Sequence, residues 1–311
     1  MLSGTTGTVT GRSLFGAAAL LAATLSSAQP PPSYELALVD HDGRKEVLGH
    51  LPGTVFAPRV SPDGTRVAFD IQRPPENGSG FSASIWVADL ANLADRRALP
   101  REDGPLNWAP MWAPDGERVV YLVNGDAPDK IYWRRADGTG GSEHLVDGRS
   151  AEGWSHGGAR LMYLTLRDNG DYGIASLDMA ARTSAELLDL AGTAQHSSNV
   201  SRDGRWVAYA SNETGRYEVW VEPLPRTGER SQITQEGGGH PMWSPDGRAL
   251  FFDRGQRLYR VEMDAAKGMP VGEPMPLPIE GFAQGEYRRQ FDLLPNGRQF
   301  LLLFPSSVPS E

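Results

Sequence analysis

The sequence contains no cysteine. Disulfide bonds and thiolate metal ligands are therefore excluded, and so is a lipid anchor on an N-terminal cysteine. Without covalent cross-links, the 311-residue chain must be stabilised by a sizeable apolar core.

Long hydrophobic runs are also absent. The main apolar run, "LFGAAALLAATL" (14–25), has twelve residues, whereas a membrane-spanning helix needs roughly 20. It follows Arg12 and precedes the small residues Ser26-Ser27-Ala28, a pattern typical of a secretory signal peptide. We predict that residues 1–28 are a cleaved signal and residues 29–33 a proline-rich lead. The mature protein is then periplasmic or secreted, with no membrane span.

Basic residues are fewer than acidic ones. The chain has 30 Lys and Arg against 39 Asp and Glu, a net charge of −9, which becomes −10 when residues 1–28 are removed. Such a balance repels a phosphate backbone or an anionic membrane surface. Basic residues occur only in short clusters such as Arg96-Arg97 and Arg134-Arg135. We therefore expect no nucleic-acid partner.

Glycine and proline, in contrast, are abundant, with 36 and 24 residues. Many lie in a repeated stretch such as "HPMWSPDGRALFFD" (240–253), where strand-forming residues flank Pro-Asp-Gly. This tripeptide favours a type I turn closed by a left-handed glycine, and so predicts a hairpin. We interpret its aspartates as structural connectors. Six copies recur at intervals of 42–52 residues, with their turn glycines at Gly64, Gly116, Gly158, Gly204, Gly247 and Gly297.

A second strand pair follows each hairpin except the last. The missing pair stands at the front, "YELALVDHDGRKEVLG" (34–49). A period of about 40–50 residues with four strands per repeat is typical of propeller blades. We predict an all-β, six-bladed β-propeller over residues 34–305, followed by a short tail (306–311). The ring closes when 34–49 pairs with the last hairpin, burying Leu36, Leu38 and Val47.

The repeated "W-S-P-D-G-x-x-hydrophobic" signal resembles the WD40-like repeats of the TolB-type propeller family, from Tyr34 to Phe304. The resemblance implies a propeller and, by analogy, a cell-envelope role through docking of the peptidoglycan-associated lipoprotein. We expect the propeller alone, without the family's N-terminal α/β domain. The segment 231–263 is also similar to propellers attached to bacterial serine/threonine kinases, but the kinase motifs are absent. Similar propellers precede the hydrolase domain of prolyl-oligopeptidase-like enzymes, a domain that we do not expect here.

Candidate site residues lie near the start of inner strands, which face the central channel in propellers. We predict that they form a funnel for an acidic peptide or a small anion, the alternative being a water-filled channel with ordinary solvated side chains. These residues are Arg59, Trp108, His196, His240, Arg288 and Arg289. No His-x-His or His-Glu-x-x-His pair occurs, so we expect no metal, no cofactor and no catalytic residue.

The sequence thus favours a monomeric, non-enzymatic interaction module that binds an envelope protein or peptide. The alternative is a hydrolase or lyase acting on a saccharide or lactone in the central channel. Bound metal together with a hydrolytic activity distinguishes the enzyme from the binding module.

Overall fold

The computed structural model describes residues 33–74, 81–102, 104, 106–124, 128–285 and 287–306. The predicted signal segment (1–28) and most of the predicted lead and tail lie outside these residues. The described part is built of β-strands and one short 3-10 helix, His156–Gly158. It includes no helix with the length and apolarity needed to cross a membrane.

The strands follow one another in short antiparallel pairs. In chain order they are β1 (Ser33–Asp40), β2 (Lys45–Pro52), β3 (Thr54–Val60), β4 (Arg66–Arg73), β5 (Ser82–Asp89), β6 (Asn92–Ala98), β7 (Leu106–Trp112), β8 (Arg118–Asn124), β9 (Lys130–Arg135), β10 (Glu143–Asp147), β11 (Ser150–Trp154), β12 (Arg160–Leu166), β13 (Tyr172–Asp178), β14 (Ser184–Leu188), β15 (Gln195–Val200), β16 (Trp206–Ser211), β17 (Glu218–Pro223), β18 (Ser231–Gln232), β19 (Gly239–Trp243), β20 (Ala249–Arg254), β21 (Arg257–Asp264), β22 (Met269–Pro270), β23 (Met275–Glu280), β24 (Phe291–Leu293) and β25 (Gln299–Ser306).

All six predicted hairpins are present. They are the antiparallel pairs β3–β4, β7–β8, β11–β12, β15–β16, β19–β20 and β24–β25. Each of the six turn glycines has a φ between 69° and 76°, the left-handed region that favours glycine. In the turn of the opening example, the Gly247 amide donates to the Ser244 carbonyl at 2.9 Å. The local turn chemistry therefore specifies the hairpins.

The turn aspartates serve the same connections. Oδ1 of Asp63 accepts from the Thr65 amide at 3.0 Å, and Oδ1 of Asp246 accepts from the Arg248 amide at 3.0 Å. In the sixth copy, Asn296 Oδ1 accepts the equivalent bond, from the Arg298 amide at 2.8 Å. Such Asx turns hold the second strand in register.

Each hairpin belongs to a sheet unit that also contains a second strand pair. We number the units in chain order: unit 1 (β3–β6), unit 2 (β7–β10), unit 3 (β11–β14), unit 4 (β15–β18), unit 5 (β19–β23) and unit 6 (β24, β25, β1 and β2). Units 1 and 2 are joined into one sheet by a single parallel pairing of Ala83 with Leu106. Unit 6 combines both ends of the described chain, because β1 pairs antiparallel with β25 over Ser33–Asp40.

The core lies between units. Six apolar clusters are present, and each draws its side chains from two successive units, the pair formed by units 6 and 1 included. Trp112 and Trp243 are buried at such contacts, and the Trp154 indole donates to the Trp112 carbonyl of the preceding unit at 3.0 Å. Each large side chain buried there contributes roughly 1.5–3 kcal/mol. These tryptophans of the repeats thus pack between successive sheets.

One burial prediction is wrong. Leu36 is fully buried and Leu38 half-buried, as expected, but Val47 is 48% exposed. Val47 lies in β2, which pairs with β1 at the outer edge of its sheet. A bulge at Leu48 interrupts the alternation of β2, so that Val47 pairs with Ala37 and its side chain stays exposed at the sheet edge, whereas Leu51 further along β2 is fully buried.

Candidate functional site

The candidate site lies where the first strands of the units approach one another. A bulge interrupts the first strand of units 1 to 5. Four residues at these bulges have left-handed backbone although they are not glycine: Ala57, Ala109, Ser197 and His240, with φ between 51° and 57°. Bulges of this kind re-aim side chains and break the ladder. They leave backbone amides that need partners from elsewhere.

Polar side chains of the preceding unit accept bonds from these amides. The Ala57 amide donates to Gln290 Oε1 at 2.8 Å, and the Ala109 amide donates to Asp70 Oδ1 at 3.0 Å. The Ser198 amide donates to Glu152 Oε2 at 2.9 Å. Polar and charged groups are thus concentrated in the interior at the contacts of the first strands.

A small open cavity of about 30 Å³ lies beside these bonds. Its walls include three arginines, Arg59, Arg288 and Arg289, together with Glu152 and Tyr287. Nη1 of Arg59 donates to the Pro58 carbonyl at 2.8 Å and to the Arg289 carbonyl at 2.9 Å. Burial, reinforced by the Arg289 charge, lowers the pKa of Arg59 to about 9. We call this cavity and its lining the arginine pocket.

Glu152 is the acidic side chain of the arginine pocket. Burial raises its pKa to about 7, against the opposing effect of the Ser198 and Ser197 amides and of Arg289 and Arg59. Three guanidinium groups and this one carboxyl, about half ionised near neutral pH, line the cavity. Asp292, outside the lining, pairs with Arg289 at 3.2 Å. The lining itself has more positive than negative groups, an arrangement that favours an anionic ligand.

A second contact anchors one wall of the arginine pocket. The Arg288 guanidinium lies over the Trp108 ring, 3.6 Å from its centroid, and 3.8 Å from Asp70 Oδ1. Burial raises the pKa of Asp70 to about 6, and the charge of Arg288 opposes this rise. Burial also lowers the pKa of Arg288. Trp108 thus positions an arginine and does not line the cavity itself.

The two predicted histidines lie next to each other. Their ring centroids are 5.8 Å apart, although His196 belongs to unit 4 and His240 to unit 5. Nδ1 of His240 lies 2.9 Å from Asp253 Oδ1. The His196 ring packs edge-to-face on Tyr287 at 5.5 Å, and burial, reinforced by His240, lowers the pKa of His196 to about 3. We call His196 and His240 the histidine pair.

The structure brings the predicted residues into two neighbouring groups. Arg59, Arg288 and Arg289 line the arginine pocket, with Trp108 behind Arg288; the histidine pair adjoins it through Tyr287. Their role in binding a ligand stays a prediction. The described residues hold no cluster of three or more His, Asp or Glu suited to a metal ion.

Four residues at or beside the site were not predicted from the sequence: Glu152, Tyr287, Asp70 and Asp253. For Glu152 a signal existed: the equivalent position of three other repeat copies is proline, at Pro58, Pro110 and Pro241. A carboxylate at that position departs from the pattern of these copies. The other three residues stand out only when the strands are paired.

Comparison with solved structures identifies the architecture. The fold is that of a β-propeller. The putative TolB from Agrobacterium tumefaciens is 18% identical, with a TM-score of 0.69 over 89% of this chain and 99% of that chain. TolB from Acinetobacter baumannii is 17% identical, with a TM-score of 0.56 over 90% of this chain and 65% of that chain. At these identities the likeness shows the fold alone.

Comparison with curated sequences finds a relative of higher identity, but the match covers a smaller part of this chain. No family model matches the chain. An uncharacterized peptidase of Bacillus subtilis, YuxL, is 25% identical over 207 residues. The match covers 64% of this chain and 29% of that protein, so the chain spans less than a third of the length of this curated relative.

Proposed function

We propose that the protein is an exported, TolB-like β-propeller that binds an acidic segment of an envelope protein or peptide in the arginine pocket. The architecture proposed is a closed ring of six blades, one per unit, formed by residues 34–305; each blade has the predicted four strands except that of unit 5, which has five. Two observations support it: the pairing of β1 with β25, and the six apolar clusters that each join two successive units. Export to the periplasm rests on the sequence of residues 1–28.

The convergence of three arginines on one open cavity carries the binding proposal. Guanidinium groups form charge-assisted, often bidentate, hydrogen bonds to carboxylates. The half-buried walls lower the effective dielectric around such a bond. Glu152, Asp292 beside Arg289 and Asp70 beside Arg288 offset part of the positive charge. Burial raises the pKa of Glu152 to about 7 and that of Asp70 to about 6, so this offset is incomplete near neutral pH and a ligand carboxylate is attracted.

Short synthetic peptides test the proposal. A fluorescent peptide rich in aspartate should bind, whereas its asparagine analogue should not, and added salt should weaken binding. Arg289→Gln should lower the affinity at least about tenfold, since a hydrogen bond to a charged group is worth about 1.5–3 kcal/mol. Arg44→Gln is the matched control, because the Arg44 side chain is 81% exposed. Equal binding of the two peptides, or an unchanged affinity in Arg289→Gln, would overturn the proposal.

A second candidate function follows from the relative that is named a peptidase. In this second function the propeller is a hydrolase or lyase that acts on a saccharide, lactone or peptide in the channel. Glu152 then serves as the general acid or base. A carboxyl with a pKa of about 7 suits that role. Turnover of chromogenic substrates of these classes that is lost in Glu152→Gln would favour the enzyme over the binding module.

A further inference from the structure

The histidine pair has two ring nitrogens with no hydrogen-bond partner. His196 is 1% exposed and His240 is 4% exposed, and Nε2 of each is buried and unpartnered among the described residues. A buried polar atom without a partner destabilises the folded state. Two such atoms on adjacent rings therefore make this pair a candidate ligand site.

The opposite edge of each ring fixes its orientation. Asp253 only accepts hydrogen bonds when ionised, so Nδ1 of His240 carries the proton and its Nε2 keeps a lone pair. Nδ1 of His196 lies 2.8 Å from the Ser197 hydroxyl. A carboxylate behind a histidine is the usual outer contact of a metal-binding imidazole, where it sets the tautomer and the ring orientation.

The separation of the rings also fits a shared ion. Metal–nitrogen bonds of about 2.0–2.1 Å place the ring centroids of two imidazoles on one ion roughly 5–6 Å apart. The observed separation is 5.8 Å, with a tilt of 53° between the ring planes.

We propose that His196 and His240 bind one divalent transition-metal ion of the zinc type through their Nε2 atoms. Imidazole nitrogens suit zinc, copper, nickel and cobalt, whereas calcium and magnesium prefer oxygen ligands. Two protein ligands leave coordination positions for water or for a donor atom of a bound molecule. Tyr287 and Ser197 line the arginine pocket and contact His196, so the histidine pair lies beside the proposed binding site.

Cobalt alone is the probe, because its bound form absorbs visible light. The full mature chain, stripped with a chelator, should bind one equivalent of Co²⁺, which Zn²⁺ displaces and Ca²⁺ does not. His196→Gln and His240→Gln should each abolish the absorption. His144→Gln is the matched control, since the His144 side chain is 44% exposed. Asp253→Asn should weaken binding about 10–100-fold, as loss of an outer contact does.

A measurement on the unmodified protein guards against variants that do not fold. Zn²⁺ should raise the melting temperature of the wild type, because it binds the folded state. Anomalous scattering from zinc-soaked crystals should place the ion between the two Nε2 atoms. An ion found elsewhere, no stoichiometric binding, or displacement of Co²⁺ by Ca²⁺ would overturn the proposal. These outcomes are independent of whether acidic peptides bind the arginine pocket.

Discussion

The guanidinium carbon of Arg288 lies 3.6 Å from the centroid of the Trp108 ring. Arg288 precedes β24 of unit 6, whereas Trp108 lies in β7 of unit 2. Asp70 of unit 1 is the anion nearest to the same guanidinium, at 3.8 Å. The Arg288 guanidinium therefore contacts side chains of units 1 and 2 as well as belonging to unit 6. The contact with unit 2 is made by the face of the Trp108 ring.

Replacement of that face is the first test. Trp108→Leu should destabilise the protein by about 1–2 kcal/mol more than Trp108→Phe, because phenylalanine retains a ring for the desolvated cation. Urea unfolding of both variants, compared with the wild type, gives the two differences in unfolding free energy. Equal losses would mean that Trp108 contributes apolar area only.

The turn of the fifth hairpin supplies a second prediction. Gly247 has a φ of 70°, which a β-branched residue adopts only at a cost. Asp246→Ala removes two bonds of the exposed turn, from the Ser244 hydroxyl and the Arg248 amide, together worth about 1–2 kcal/mol. Gly247→Val should therefore lower the unfolding free energy by more than Asp246→Ala does, as measured in urea. Equal effects would contradict the left-handed turn.

A third prediction concerns β1, the strand that pairs the start of the described chain with its end. Leu36 is fully buried against units 6 and 1, so Leu36→Ala should cost about 2–5 kcal/mol. Val47→Ala in the neighbouring strand should change stability by no more than about 0.5 kcal/mol, because this side chain is 48% exposed. Similar melting temperatures for the two variants would show that β1 is not essential to the packing of unit 6.

The hairpins were predictable because their determinants are local. The residues from Ser244 to Gly247 supply the turn and its hydrogen bonds within a single repeat, and the repeat period then orders the strands. Burial at the outer edge was not predictable. The expected burial of Val47 assumed regular alternation, but a bulge at Leu48 changes the register of β2, and such a bulge has no local signal in the sequence.

The candidate site was predictable in part. Positions at the start of the first strands, such as Arg59 and His240, follow from the repeat alignment. Their partners do not: His196 and His240 are 44 residues apart in the sequence, and Asp253 reaches His240 only through strand pairing. Metal-site spacing rules consider residues within one helix or turn, and so they pass over a pair assembled across two units.

The protonation of Glu152 gives the last prediction. Burial raises its pKa from 4.5 to about 7, so the folded protein holds this proton more tightly than the unfolded chain does. The contribution to stability is therefore complete below pH 4.5 and is lost as the pH rises to about 7. Relative to wild type, Glu152→Gln should become more stable across this window, by at most about 3 kcal/mol. Glutamine still offers an oxygen to the Ser198 amide, so the fold should persist.

Urea unfolding at several pH values measures this difference. The raised pKa of Asp70 affects wild type and variant alike and cancels in the comparison. Glu46→Gln, at an exposed position of β2, controls for the loss of one acidic side chain. A difference between Glu152→Gln and wild type that does not change with pH would place this carboxyl in bulk water. The positive charge of the arginine pocket would then be reduced by a permanently ionised neighbour, and its preference for acidic ligands would weaken.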